Sequence, residues 1–476
     1  MLHLTFYGHA CVLFEHDGTR VLCDPHLYEQ FAHDLFKIYP ARRIDRGAVP
    51  RPDAIFISHK HRDHFDLRSL ARFDRDIPVL IPDSDEMRFG LDQLGFHQLR
   101  TFQDWDTHRV GGMQLTFTPS RMRVPENGVL VTTATEAAWN LVDTVVDLEI
   151  VRRAQRDVLA HRRLELLLWP YQPLLEFEVS EGQSLGFPRE AFEQKMATLA
   201  MISPRHAVPY ADAQFGVGET AWLNHYRFPV EFGEIVGHAR NMAPEVELVS
   251  SRPGDRLGVD GERVAVIAPA PYIAAVASDA QERCFDTTRG APELRDHDLG
   301  ELATERHSLA KTIDTLREGW RVLSRTMRPA LALAAAWHTT YDLVLEHGDA
   351  SSVIRFTPER ADVEVFAGET ALAGDGNRIV MRTRLGLLQH VLFGELHYIS
   401  AVIAGLIRSW HRVVRIEHGE LVCAEFLPPD NVASPSARGQ LLPATNFLNL
   451  LIGSSDRTMR TRYLESELRE AVRAAV

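Results

Sequence analysis

Cysteine is scarce, with four in 476 residues (Cys11, Cys23, Cys284 and Cys423), scattered and without a Cys-x-x-Cys. That spacing argues against a disulfide framework and a cysteine-ligated zinc site, and it fits a reducing cytoplasm. Long apolar runs are lacking too. The longest, from Val264 to Ala277, is broken by Pro269 and Pro271 and is too short to span a bilayer. The stretch Met1 to Phe14 has no basic start and is interrupted by Gly8 and His9, so it does not read as a signal peptide. Basic charge is in deficit, with 52 Lys and Arg against 65 Asp and Glu for a net −13. Neither a membrane nor nucleic acid is therefore expected as a partner. No internal repeat is evident. What remains is the composition of a globular chain, 45% hydrophobic and 25% charged. Its length exceeds what one core usually organises, so two or three domains are expected.

The first part alternates short apolar strands with polar turns. Leu2, Leu4 and Phe6 alternate with His3, Thr5 and Tyr7, the period of a half-buried strand. Val12–Phe14 and Arg20–Cys23 follow, joined through Asp17-Gly18, a hairpin signal. Ala54–Ser58 reads as a buried strand, Asp66–Phe73 as a helix and Asp147–Arg163 as another. This alternation predicts an α/β layered domain over 1–268. Residues 269–330 read as a helical connector, interrupted at Pro329, and 331–476 as a C-terminal α+β domain. In that last part a strand meander precedes two amphipathic helices, Leu385–Gly394 and Tyr398–Trp410.

Histidine is plentiful, at 22 residues, and three of them stand together in His59-Lys60-His61-Arg62-Asp63-His64, directly after the Ala54–Ser58 strand. In an extended loop, residues two apart face the same way, so His59 and His61 can grip one metal ion while Asp63 and His64 turn toward a second.

The HxHxDH run resembles that of the metallo-β-lactamase superfamily, whose fold is a four-layered αββα sandwich. The opening agrees with the resemblance, with Gly8-His9 and then Asp24-Pro25-His26. The resemblance implies that His9, Asp24 and His26 lie near the site as further ligands or their supports. It also implies a carboxylate shared by both metals, and Asp143 in Asn140-Leu141-Val142-Asp143-Thr144 fits, its alternative being a helix N-cap. Asp63 and Asp143 are then the catalytic carboxylates. Two histidines usual in zinc hydrolases of this fold lack a counterpart. Arginine stands in the Thr118-Pro119-Ser120-Arg121-Met122-Arg123 turn, and Tyr210-Ala211-Asp212 follows Val208-Pro209. Glu126 or Asp212 is the expected supplement; otherwise His108 or His206 fills a gap.

Two imidazoles and a carboxylate at His59, His61 and Asp143 form a set associated with non-haem Fe(II) oxygen chemistry. Stretches such as 56–67 and 139–144 resemble the metallo-β-lactamase part of the CMP-N-acetylneuraminate hydroxylase family, which implies two irons, dioxygen and electrons delivered through a Rieske cluster. The four scattered cysteines do not supply the two Cys–His pairs of a Rieske centre. If the resemblance holds, either an electron donor of Rieske or ferredoxin type acts in trans or the chemistry needs no Rieske centre. Arg121, Arg123 and Tyr210 are candidate substrate contacts, the arginines' alternative being surface ion pairs. The C-terminal domain resembles sterol-carrier-like domains, which enclose an apolar pocket or mediate dimerisation, so a homodimer is one expectation. The predicted activity is oxidation of a polar small molecule, with a zinc or manganese hydrolase of a lactone or phosphodiester as the alternative.

Overall fold

Two large sheets face each other across an apolar interior in the N-terminal part of the chain. The computed structural model describes residues 1–122, 125–172, 176–182, 186–211, 214–226, 232–261, 263–277, 286, 288, 291–426, 440–455 and 459–475. The first sheet has eight strands, in the order Arg263–Ile267, Arg256–Asp260, Leu2–Gly8, Cys11–His16, Thr19–Cys23, Ala54–Phe56, Val79–Pro82 and Leu99–Phe102. The second has seven, in the order Thr107–Val110, Met113–Pro119, Asn127–Thr132, Ala137–Asn140, Leu166–Pro170, His206–Tyr210 and Glu247–Leu248.

Alternate residues divide each sheet between two cores. Leu4, Phe6, Val21 and Phe56 meet Leu115, Val129 and Leu166 between the sheets. On the outer face of the first sheet, Leu13, Leu22 and Ile55 pack against the helices Leu67–Leu70 and Asp85–Leu94. On the outer face of the second, Trp139, Leu167 and Ala207 pack against Leu148–Arg153, Arg189–Ile202 and Phe232–Met242. The result is the αββα layering expected from the resemblance. Leu2–Gly8 is not half-buried as its alternation predicts, because both faces of the sheet are covered and Thr5 and Tyr7 are buried as well. The Asp17-Gly18 hairpin is present, with both residues at positive φ (50° and 78°), as a tight two-residue turn between twisted strands requires.

A five-stranded sheet follows, in the order Glu364–Ala367, Ala350–Phe356, Thr340–His347, Arg378–Arg384 and Arg408–Arg412. The helices Leu309–Thr326, Leu385–Leu392 and Ala444–Ser455 pack on it through Trp320, Leu388 and Phe447, with Tyr341 and Phe447 stacked at 3.9 Å between ring centroids. Pro329 does not merely interrupt the connector. It lies in the first turn of a new helix, Arg328–Ala336, where its missing N–H costs nothing. The helix expected over Tyr398–Trp410 stops at Ile403. Gly405 takes a φ of 65°, and Arg408–Arg412 is a strand.

Contacts cross the division expected at residue 330 in both directions. Phe31, Phe36, Leu223 and Tyr226 join the core around Trp320 and Phe447. Leu464, Leu468 and Ala471 of the helix Met459–Ala475 return to the outer core of the first sheet. No helix among the described residues is long and apolar enough to cross a membrane.

Candidate metal centre

Strand direction brings the site together. Thr19–Cys23 runs parallel to Ala54–Phe56, so Asp24 and the loop from Ser58 leave the first sheet side by side. Ala137–Asn140 runs parallel to Leu166–Pro170 and His206–Tyr210 in the facing sheet, and Asp143 and Tyr210 lie at the carboxyl ends of those strands. Carboxyl ends of parallel strands are where α/β sheets bind ligands.

Two groups of donors form there. His59, His61 and Asp143 each place one ligand atom within 4.8 Å of the others, and His9, Asp63 and His64 do the same. His59 Nε2 lies 2.9 Å from His61 Nδ1, and His9 Nε2 lies 3.3 Å from His64 Nε2. His9 Nε2 is 3.1 Å from Asp63 Oδ2. Asp143 reaches both groups, with Oδ2 3.1 Å from His64 Nε2 and 3.8 Å from His59 Nε2. Within each group two histidine ring nitrogens approach each other closely beside a carboxylate, a donor set that a cation can draw together. The residues present therefore fit a pair of metal ions. His59 and His64 are fully buried, whereas Asp63 and Asp143 are 21% and 33% exposed, so the open side of the centre is the carboxylate side.

A buried network aims the rings. The Asp24 carboxylate accepts from the Ser58 backbone N–H (2.7 Å), from Ser58 Oγ (2.7 Å) and from His64 Nδ1 (2.9 Å). Ser58 Oγ in turn accepts from His59 Nδ1 at 2.9 Å. With Nδ1 of both rings engaged, their Nε2 atoms are left to converge on the centre. Asp24 is thus a support and not a ligand.

The electrostatics follow from this crowding. Burial holds His59 well below the ordinary histidine range, helped by His64 and His61, and burial lowers His61 as well. For His64 burial also acts downward, but Asp143 and Asp63 overcome it and raise the ring well above its usual range. Burial works against ionising Asp63 and Asp143, yet His64 holds both low.

The remaining candidates separate clearly. Glu126 is buried near Asp143, and desolvation, then the Asp143 charge, pushes its carboxyl up from 4.5 to about 8. Tyr210 is buried, donates to the Ala10 carbonyl at 3.3 Å and is raised by burial and then by Asp24. His26 is in neither group. Its ring meets Phe31 edge-on, its Nδ1 bonds to the Tyr28 carbonyl, and burial lowers it to about 3. His206 sits at the far end of its strand, near the Glu165 carbonyl and 3.5 Å from Glu247, and fills no gap in the centre. His108 lies on the outermost strand of the second sheet and is likewise outside both groups. The exposed Arg121 is held by Asp147 and Glu149 at 2.5 Å each, the ion-pair alternative. The N-cap of the helix Leu148–Arg153 is Asp147 and not Asp143. Arg123 and Asp212 lie outside the described residues.

Sequence reasoning missed Lys195, a half-buried lysine on the helix Arg189–Ile202 that burial lowers while Asp143 and Glu126 act to raise it. It stands on an ordinary amphipathic helix, and nothing in its spacing marks it.

Glu126 gives the metal-free protein a pH dependence. Its carboxyl near 8 in the fold against 4.5 when unfolded means the native state holds the extra proton between those values. Stability should fall as pH rises through that window. Glu126→Gln should flatten this slope, raising the denaturation midpoint at pH 8 relative to wild type and leaving it little changed near pH 4.

Residues 3–144 match the family model described as the beta-lactamase superfamily domain. A protein of Mycobacterium tuberculosis named as a Rieske 2Fe-2S iron-sulfur protein is 30% identical over 162 residues, 32% of this chain and 31% of that protein. A Saccharomyces cerevisiae N-acyl-phosphatidylethanolamine-hydrolyzing phospholipase D is 31% identical over 112 residues, 22% of this chain and 23% of that one. The chain thus spans under a third of the length of these curated relatives. Among solved structures, CmlA, a diiron β-hydroxylase from Streptomyces venezuelae, has a TM-score of 0.37 at 17% identity, over 56% of this chain and 54% of its own. An isothiocyanate hydrolase from Delia radicum gut bacteria has a TM-score of 0.39 at 15% identity, over 54% of this chain and 99% of its own.

Proposed function

We propose that this chain, whose N-terminal part has the metallo-β-lactamase fold, is a dinuclear iron enzyme that oxidises a polar small molecule with dioxygen. The observation that carries the reading is the donor set. Each group offers two imidazoles and a carboxylate, leaves coordination positions open and lacks cysteine, the pattern of non-haem iron oxygen chemistry. Iron bound there would supply the electron transfer and oxygen activation. His59, His61 and Asp143 would hold one ion, and His9, Asp63 and His64 the other, with Asp143 serving both. Asp24 and Ser58 fix the ring orientations, and the half-exposed carboxylates admit the substrate. A cation arriving beside Asp143 would draw the proton from Glu126, so metal binding should release acid. External electrons come from a separate protein, and the similarity to a protein named as a Rieske protein supports that source.

One observation favours a second reading. His9 joins Asp63 and His64 in the second group, and a group with two imidazoles also suits zinc. A hydrolase of a lactone or phosphodiester would then be the activity, with the yeast phospholipase D as a relative of that kind. Metal analysis of anaerobically purified protein decides between them. About two irons per chain with reductant-dependent oxygen uptake supports the oxygenase. Stoichiometric zinc or manganese with turnover that survives strict anaerobiosis selects the hydrolase.

A further inference from the structure

The loop that carries the metal ligands does not face solvent on every side. A cavity of about 90 Å³ lies against His61 and Lys60, and its opposite wall comes from the far end of the chain. Val391, Leu396 and Ile399 give that wall its apolar part, beside the polar groups of His397, Tyr398, Asn449 and Tyr463. Val391 and Leu396 belong to the core around Trp320, so the wall is part of a packed domain and not of a loose loop. His397 also packs on Tyr463 at 5.1 Å between ring centroids, and the guanidinium of Arg62 from the metal loop lies 4.9 Å from that tyrosine's ring. The wall and the ligand loop are therefore fastened together.

We propose that this cavity is the substrate's binding pocket beyond the reacting atom, built jointly by the metal loop and the C-terminal domain, and that it takes a short aliphatic group. Size sets the class. An apolar cavity of about 150 Å³ accommodates benzene, so about 90 Å³ limits the occupant to a group of a few heavy atoms. Charge agrees with a neutral occupant. Lys60 is 3.3 Å from Glu86, whose other oxygen is 2.8 Å from Arg62, so the cations at the polar end are already matched by a carboxylate. Of the two donor groups, His61 is the member that lines the cavity, so the substrate's short aliphatic end sits at Ile399 and its reacting end reaches the centre past that ring. Its specificity is set by a domain that holds no metal ligand.

This inference rests on the proposed small-molecule activity only for the identity of the occupant. Its test uses metal-free protein without oxygen or reductant, so a failure here is distinguishable from a failure of the oxidation reading. Isobutanol is titrated into protein labelled at isoleucine δ1 methyls and histidine rings and followed by NMR. The expected result is a saturable shift of the Ile399 methyl and the His61 ring with one common midpoint, and binding at least about tenfold weaker in Ile399→Trp. An Ile399 methyl that does not respond, or a midpoint unchanged by Ile399→Trp, overturns the proposal. If that variant does not fold, the wild-type titration decides alone, because a common midpoint at Ile399 and His61 is required.

Discussion

Asp143→Ala should leave the protein unable to hold either metal ion, while His61→Ala should remove only one. The asymmetry follows from geometry. The Asp143 carboxylate is within 3.1 Å of His64 in one group and 3.8 Å of His59 in the other, whereas His61 belongs to a single group. Loss of a residue that merely supports a ligand typically weakens metal affinity about 10- to 100-fold, so loss of a shared ligand should exceed about 100-fold at both positions. Metal content after anaerobic reconstitution and gel filtration reads the result directly. Retention of one full equivalent by Asp143→Ala would mean that the carboxylate serves one ion alone. Activity of either kind should fall with the metal.

Arg62→Met should be the most destabilising single change near the site. Arg62 is buried, 6% exposed in its side chain, and its guanidinium pairs with Glu86 at 2.8 Å and Glu467 at 3.0 Å while lying over the Tyr463 ring. Removing it leaves the inward-facing Glu467 without its cation and Glu86 with Lys60 alone. Breaking a buried pair in this way costs about 3–5 kcal/mol. The loss has a pH signature. Burial already lifts the Glu467 carboxyl from 4.5 to about 7 even with Arg62 beside it, and without Arg62 it should rise further. A carboxyl raised in the fold loses stability as pH increases through its folded value, so the variant should be worst in alkaline buffer and partly recover in mild acid. Adding Glu467→Gln should restore part of the loss at pH 8 and little at pH 5. Denaturant midpoints of wild type, Arg62→Met and the double variant at the two pH values check this, and equal losses at both would remove the electrostatic explanation.

What was legible in the sequence was what is local. His59, His61, Asp63 and His64 fall within six residues after a buried strand, and strand direction alone delivers them to one end of a sheet. Asp143 was readable because it follows a second strand end, and the αββα order because apolar alternation sets the layers. Partners set by long-range packing were not. Nothing in the spacing of His9 says that it and not Glu126 joins Asp63, because that choice depends on how two sheets meet. The roles of Asp24 and Ser58 depend on a parallel pairing across some thirty intervening residues. Lys195, Glu467 and His397 are more remote still. The misread helix over Tyr398–Trp410 had a visible warning in Gly405, whose positive φ ends the helix before the strand begins.

The return of the helix Met459–Ala475 to the first sheet also sets a timetable. Glu467 and Tyr463 are synthesised about 400 residues after Arg62. At ribosomal rates of about 5–20 residues per second, that is a delay of roughly 20–80 s. During that interval the nascent N-terminal sheets can form, and the histidines of the loop can meet metal ions, while the arginine at the loop's centre has only Glu86 to balance it. Metal delivered early would find a loop not yet locked from behind, and metal delivered late would find it clamped. The order of translation and metal loading is thus a variable of this protein's assembly, one that pulse-labelled synthesis with and without added metal can measure.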